Sequence, residues 1–394
     1  MKSAYLDWIS AAPVLPEAAQ AMAHAVEKIY GNASSRLHPW GVSAQRELNR
    51  ARDGVARLIG AYDPIELVFT SSATEANNLA IKGIARMSER GKHIVIGAID
   101  HPSIRMAAER LAWDGYTILY APVDTNGFIQ LDKLRELLSD ETALVSVQHA
   151  NTEIGTLQPV REIAELCRAR NIPFHCDGCG VAGILPVNVA ELGVSAYTIG
   201  SNAFWGPPGA GALWFDKSIE LEPLLEGGAQ ERKMRAGTEN IPAIIGMGVA
   251  AEIAQKELSN RCEDLARKRN KLESILREGF SHCDPTCFVS LGDRANRLPQ
   301  LCSFRLEWVE GEALLLSLGA DHIACVSGSA CARPELGASY VLEALGVPEE
   351  QRSGGITMSV GWSTTEQEIE YAVERTIYHG KRLFAMSPMM KSID

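Results

Sequence analysis

No apolar run in this sequence approaches the roughly 20 residues that span a bilayer, so no membrane is expected as a partner. The opening "MKSAYLDWISAAP" has no hydrophobic signal core. Basic charge is short as well. Asp and Glu number 49 against 38 Lys and Arg, a net charge of −11, which argues against nucleic acid because phosphate binding needs a basic face. Internal repeats and low-complexity segments are absent. These absences predict a cytoplasmic protein whose nine cysteines stand as thiols rather than disulfides. What remains is a chain of 394 residues, 46% hydrophobic, enough for a large domain with a sizeable core and a smaller one beside it.

Short apolar runs alternate with helical patterns through the middle of the chain. "IELVFTSS" precedes "ATEANNLAIKGIARMSER", and "KHIVIGAI" precedes "PSIRMAAERLAWDG". "TILYAPV", "TALVSVQHA" and "PFHCDG" continue the series, with "LDKLRELLSD" and "VREIAELCRARN" between them. Such alternation predicts an α/β fold with a mostly parallel sheet covered by helices. After about Ala254 a charged helical run, "KELSNRCEDLARKRNKLESILREGF", leads into mixed short strands and helices. The expected division is a large α/β domain over 15–255 and a small α+β domain from 1–14 with 256–394.

Polar clusters fall at the ends of these strands, where open α/β sheets hold ligands. "TSSATEANN" sets Ala73 and Thr74 at a strand-to-helix turn whose N–H groups form an anion cup, although an ordinary helix cap leaves the same pattern. His101 in "AIDHPSI" follows another strand, as a structural or a functional histidine. Asp177 in "FHCDGCG" either faces a protonated ring nitrogen or makes an Asp-Gly turn. "AYTIGSNAFWGPPGAGALW" is a strand, a polar turn and a glycine-rich return, and its turn holds no amine.

In order and spacing, nearly end to end, the chain resembles the cysteine desulfurases of the aminotransferase class V superfamily, a pyridoxal-phosphate (PLP) group of fold type I. The resemblance is carried by "YLDWISAAP", "YGNASSRLHPWG", "VFTSSATEANNLAIKG", "DHPSI", "HANTEIGTLQP", "HCDGCG", "GGAQERKMRAGTEN", "VSGSAC" and "SYVLEALG". It implies the fold-type I architecture, with a large cofactor domain and a small C-terminal one. It also implies a homodimer in which Thr238 reaches the neighbour's phosphate cup. His101 is implied to stack on the cofactor ring, and Ala73, Thr74, Asn151, Asp177 and Ser201 to surround the cofactor. Cys331 is implied to be the sulfur-accepting thiol. In such enzymes a lysine joins PLP through a Schiff base, yields it to cysteine and moves protons.

At the positions that carry this chemistry the sequence departs from the family. Ala203 stands where the lysine belongs, and Asn202 where a phosphate-binding histidine does. Thr152 replaces an asparagine of the substrate-carboxylate site, and Gly180 a glutamine that contacts the cofactor. Trp362 replaces the arginine that clamps that carboxylate, and an indole carries no charge to offer it. Lys233 is the one lysine offered as a substitute, from a segment that reaches the partner subunit in the family. The expectation is loss of PLP-dependent cysteine desulfuration and a role in sulfur transfer or iron–sulfur metabolism through Cys331. No covalently bound cofactor is expected; noncovalent PLP and an iron–sulfur cluster remain open. Two alternatives stand beside it: an active enzyme with noncovalent PLP or another ligand in the old pocket, and a non-catalytic partner of an active desulfurase. A sulfur acceptor, an iron–sulfur scaffold or that desulfurase is the partner expected.

The cysteines form only weak metal patterns. Cys331 and Cys325 lie six residues apart, and Cys176 and Cys179 form a C-x-x-C around Asp177, with strand alternation turning Cys176 from the Asp177 side. Cys283 and Cys287 lack histidine spacing for a zinc site, and Cys167 is expected to be buried. No metal site is assigned.

Overall fold

The computed structural model describes residues 2–281, 287–328 and 339–386. A central sheet of seven strands runs in spatial order Leu67–Thr70, Gly211–Phe215, Ala196–Gly200, Phe174–Asp177, Thr142–Gln148, His93–Gly97 and Thr117–Ala121. Gly211–Phe215 is antiparallel to both neighbours and the other pairs are parallel. Continuous apolar runs form these strands because helices cover both faces of the sheet; every residue of Thr142–Gln148 is buried. Each apolar run quoted from the sequence supplies one strand.

The helix Ile241–Phe280 has 40 residues and spans about 60 Å at the ordinary helical rise. Its first half packs on the helices Pro16–Lys28 and Pro39–Leu58 beside the sheet. The crossing is close: a Cβ on Gly248 would stand 2.6 Å from the Ala51 Cα. Its second half packs on the C-terminal helix Glu366–Met386. The division expected at residues 255 and 256 thus falls inside one continuous helix.

Beyond that helix lies an antiparallel sheet of Gly355–Ser359, Leu301–Leu306 and Phe288–Ser290. The N-terminal residues join this C-terminal layer. Ala4–Tyr5 pairs in parallel with Ile323–Ala324, and the Ser359 N–H donates to the Leu6 carbonyl at 2.8 Å. A buried ion pair fastens the outer edge of the central sheet. Arg52 lies against Glu231 at 2.5 Å, and Glu231 also accepts from the Phe69 N–H at 2.8 Å.

Candidate functional site

A cavity of about 410 Å³ opens at the carboxyl ends of the parallel strands, where the sheet leaves its last side chains and helix starts converge. One wall is the start of the helix Ala73–Met87. Ser72 caps it, its Oγ accepting from the Glu75 N–H at 3.2 Å, and Ala73 and Thr74 line the cavity. The glycine-rich return strand can pass beneath because Gly211 has no side chain; a Cβ there would lie 2.8 Å from the Ala73 nitrogen. Helix-start N–H groups of this kind receive an anion such as a phosphate.

The next wall carries a buried polar network. Asp177 accepts from Asn77 Nδ2 at 2.7 Å on one oxygen and from the Cys179 N–H at 3.0 Å on the other. Asn77 Nδ2 also donates to Ser103 Oγ at 2.8 Å, and Ser103 Oγ lies 2.7 Å from His101 Nδ1. The Ser103 N–H donates to the same His101 nitrogen, so Nδ1 is an acceptor and neutral His101 carries its proton on Nε2. His101 and Asp177, found from the sequence, are therefore linked through Asn77 and Ser103, which were not. A buried asparagine in mid-helix carries no sequence signal of its own, and its partner Asp177 lies 100 residues further on.

Two more acids in this region escape a reading by motif. Asp100 is buried and accepts from the Gln148 and Gly97 N–H groups; burial, countered by those bonds and reinforced by Asp177, pushes its carboxyl up to about 7. Glu153 lines the cavity, and burial raises it to about 7 against the bond from Ser339. Burial first, then the Asp177 charge, holds the Cys179 thiol well above its ordinary range, so it stands protonated in the wall.

Asn151 lines the cavity, with its side chain bound to protein: Nδ2 donates to the Ile99 carbonyl, and Oδ1 accepts from the Glu153 and Ile154 N–H groups. Ser201 is buried and is not among the described residues that line the cavity. It opens the 3₁₀ turn Ser201–Phe204, where residues three apart share a side, so it points inward with Phe204 while Asn202 and Ala203 face the cavity. A Cβ on Gly206 would stand 2.3 Å from Ser201 Oγ. Thr238 is exposed and lies outside the cavity of its own chain. Trp362 is also outside, packed edge-on against Trp8 with ring centres 6.3 Å apart. Trp8, Trp205, Ile9 and Val360 build an apolar flank.

Cys176 is fully buried in the core and removed from the cavity, as strand alternation predicts. Cys325 is half-buried outside the lining, its thiol pushed up to about 12 by burial. Cys167 and Cys287 are buried. Among the described residues no group of three or more His, Cys, Asp and Glu side chains is placed to hold a metal ion. Cys331 and Cys283 lie outside the described residues.

The donor set can be compared with PLP part by part. The helix start at Ala73 and Thr74 fits a phosphate, the Asp177 carboxylate fits a protonated ring nitrogen, and His101 stands at the lining. The aldehyde finds no counterpart: Ala203 occupies the wall, and the described lining residues include no lysine and no arginine. Lys233 is exposed and outside the lining. The described lining residues fit the cofactor's phosphate and ring nitrogen and offer no amine to its aldehyde.

A family model for aminotransferase class-V matches residues 4–372. A "Cysteine desulfurase IscS" of Dictyoglomus turgidum is 38% identical over 374 residues, covering 95% of this chain and 93% of the relative. The "Cysteine desulfurase" of Homo sapiens is 36% identical over 396 residues, with coverage of 100% and 85%. A solved structure described as a NifS-like protein superposes with a TM-score of 0.88 at 29% identity, covering 97% of this chain and all of that one. The sheet order, the cavity at the strand ends and these matches agree: the chain belongs to the class-V aminotransferase family, with the fold of the NifS-like proteins and cysteine desulfurases as its homologues.

Proposed function

We propose that this chain is a desulfurase-family protein that no longer desulfurates free cysteine and that carries sulfur on the thiol of Cys331. One observation carries the reading: the cavity wall presents Ala203, with neither lysine nor arginine among its described lining residues. Without an amine the cofactor's aldehyde has no protein atom to join, and without a guanidinium a substrate carboxylate has no partner for its charge. Like its relatives named as desulfurases, the chain works in sulfur transfer or iron–sulfur metabolism in this reading, as a homodimer.

A second reading is favoured by the unbroken chain from His101 through Ser103 and Asn77 to Asp177. It keeps the cavity as a working site for noncovalent PLP or another ligand. PLP supplies an electron sink when bound. Asp177, oriented by Asn77, would hold the proton on the ring nitrogen, the helix start would hold the phosphate, and His101 would present Nε2–H.

The test is release of alanine and sulfide from L-cysteine with added PLP and a thiol reductant. The expected outcome is formation no faster than without protein, for the parent and for Ala203→Lys, because the described lining residues include no arginine for the carboxylate. Release at rates typical of enzymes would refute the first reading.

A further inference from the structure

The flank of the cavity formed by Trp8, Ile9, Trp205 and Val360 is fixed by the protein itself. We propose that this flank selects the cavity's ligand, and that it takes, beside the cofactor, an amine bearing an aromatic group and no carboxylate. Trp8 Nε1 donates to the Tyr5 carbonyl at 2.9 Å. Its ring meets Tyr5, Trp205 and Trp362 edge to face, with centres 6.0, 6.2 and 6.3 Å apart. A Cβ on Gly361 would fall 1.9 Å from the Trp8 ring, so only glycine lets the indole come this close to the chain.

Trp205 is held in a conformation it would not choose. Its φ of +69° lies in the left-handed region, which a bulky residue occupies only where its surroundings impose it. The Trp205 carbonyl accepts from the Leu15 N–H at 2.9 Å, and the Arg261 guanidinium lies 4.0 Å from the ring centre. Trp205 follows Ala203 by two residues, and both line the cavity, so the flank borders the wall where the aldehyde finds no amine.

Charge points the same way. Arg261 is buried outside the lining, with its guanidinium on the indole and Nη1 donating to the Gly183 carbonyl at 3.3 Å. Lys268 is also buried outside it. Its ammonium pairs with Asp264 at 2.7 Å and donates to the carbonyls of Gly361 and Trp362 at 3.2 and 3.1 Å. Both cations that support the flank are thus engaged within the protein. A ligand carboxylate would join a cavity that already carries the Asp177 carboxylate, and like charges repel strongly in a site removed from water. An aromatic group meets no such repulsion and gains contact with the indoles.

This deepens the reading of the cavity as a working site for noncovalent PLP, on which it rests. The test is the dissociation constant of three compounds, measured by titration calorimetry on the full-length protein. They are pyridoxamine 5′-phosphate and the borohydride-reduced adducts of PLP with benzylamine and with L-alanine. The benzylamine adduct should bind about fivefold or more tighter than pyridoxamine 5′-phosphate, as an added aromatic contact allows, and the L-alanine adduct no tighter. Trp8→Ala should erase that preference. Ile9→Asp sets a charge on the half-buried part of the same flank and should erase it without removing an indole. A tighter L-alanine adduct would overturn the proposal, as would a benzyl preference that survives both substitutions. Binding of pyridoxamine 5′-phosphate with no preference for the benzylamine adduct would overturn the proposal alone. Failure of all three compounds to bind would remove the working cavity as well, so the two failures are distinguishable.

Discussion

Asn77 does more for the cavity than its place in the chain announces. It is fully buried, and its two amide protons go to Asp177 and Ser103. Asn77→Ala would remove a donor from a buried carboxylate, and we expect a loss of about 1–3 kcal/mol, measured by urea unfolding. Glycine sets the same wall from beneath: a Cβ on Gly178 would stand 2.1 Å from the Tyr197 ring, which is fully buried. Gly178→Ala should therefore cost about 1–3 kcal/mol as an overpacked site, readable as a lower unfolding midpoint. Single residues were the least legible part of the sequence. Asp177 and His101 stood out because they close strands with polar side chains. Asn77, Ser103 and Glu153 matter through partners 26 to 186 residues away, which no local pattern reveals.

Glu153 also makes a pH prediction. Its carboxyl lies at about 7 in the fold against an ordinary 4.5, so ionising it costs the folded state. The cost is absent below pH about 4.5, grows through the interval and is complete above pH about 7. Glu153→Gln lacks it, so the variant's stability relative to the parent should rise with pH across that window, measured as the difference in melting temperature. Asp100 titrates in the same direction, and His149 and His175, lowered by burial to about 4, in the opposite one. All three are common to both proteins and cancel in the difference. A difference that stays flat with pH would show that the carboxyl is not held as described.

Elements were far more legible than residues. Parallel strands covered on both faces must be apolar throughout, so the run "TALVSVQHA" could be read as a buried strand with no knowledge of its neighbours. The antiparallel return strand Gly211–Phe215 was visible through the glycines before it. Ser201 stands outside the described lining of the cavity, and its motif position said nothing about the 3₁₀ turn that carries it beside Phe204. The helix Ile241–Phe280 was seen as two textures, since its first half is buried against helices and its second half is charged. The Arg52–Glu231 pair, 179 residues apart in sequence, joins the helix Pro39–Leu58 to the turn before that long helix. Glu231→Gln leaves a buried guanidinium without its counter-charge and should cost about 3–5 kcal/mol, seen as a lower melting temperature.

At the scale of the whole molecule, the segment "GGAQERKMRAGTEN" has no role in the cavity of its own chain, since Thr238 and Lys233 both lie outside it. The resemblance predicted a homodimer in which this segment completes the neighbour's site. Light scattering should give twice 42.7 kDa at micromolar concentration, without added cofactor. A monomer mass would remove Thr238 from any phosphate cup. The central claim of the proposed function is that no amine of the chain joins the cofactor. Its most direct test is borohydride reduction of the protein purified from PLP-replete cells and freed of unbound cofactor, followed by intact-mass and peptide mass spectrometry. The account predicts the unmodified chain, with no pyridoxyl group on any lysine. Stoichiometric modification of a single lysine, Lys233 above all, would contradict it.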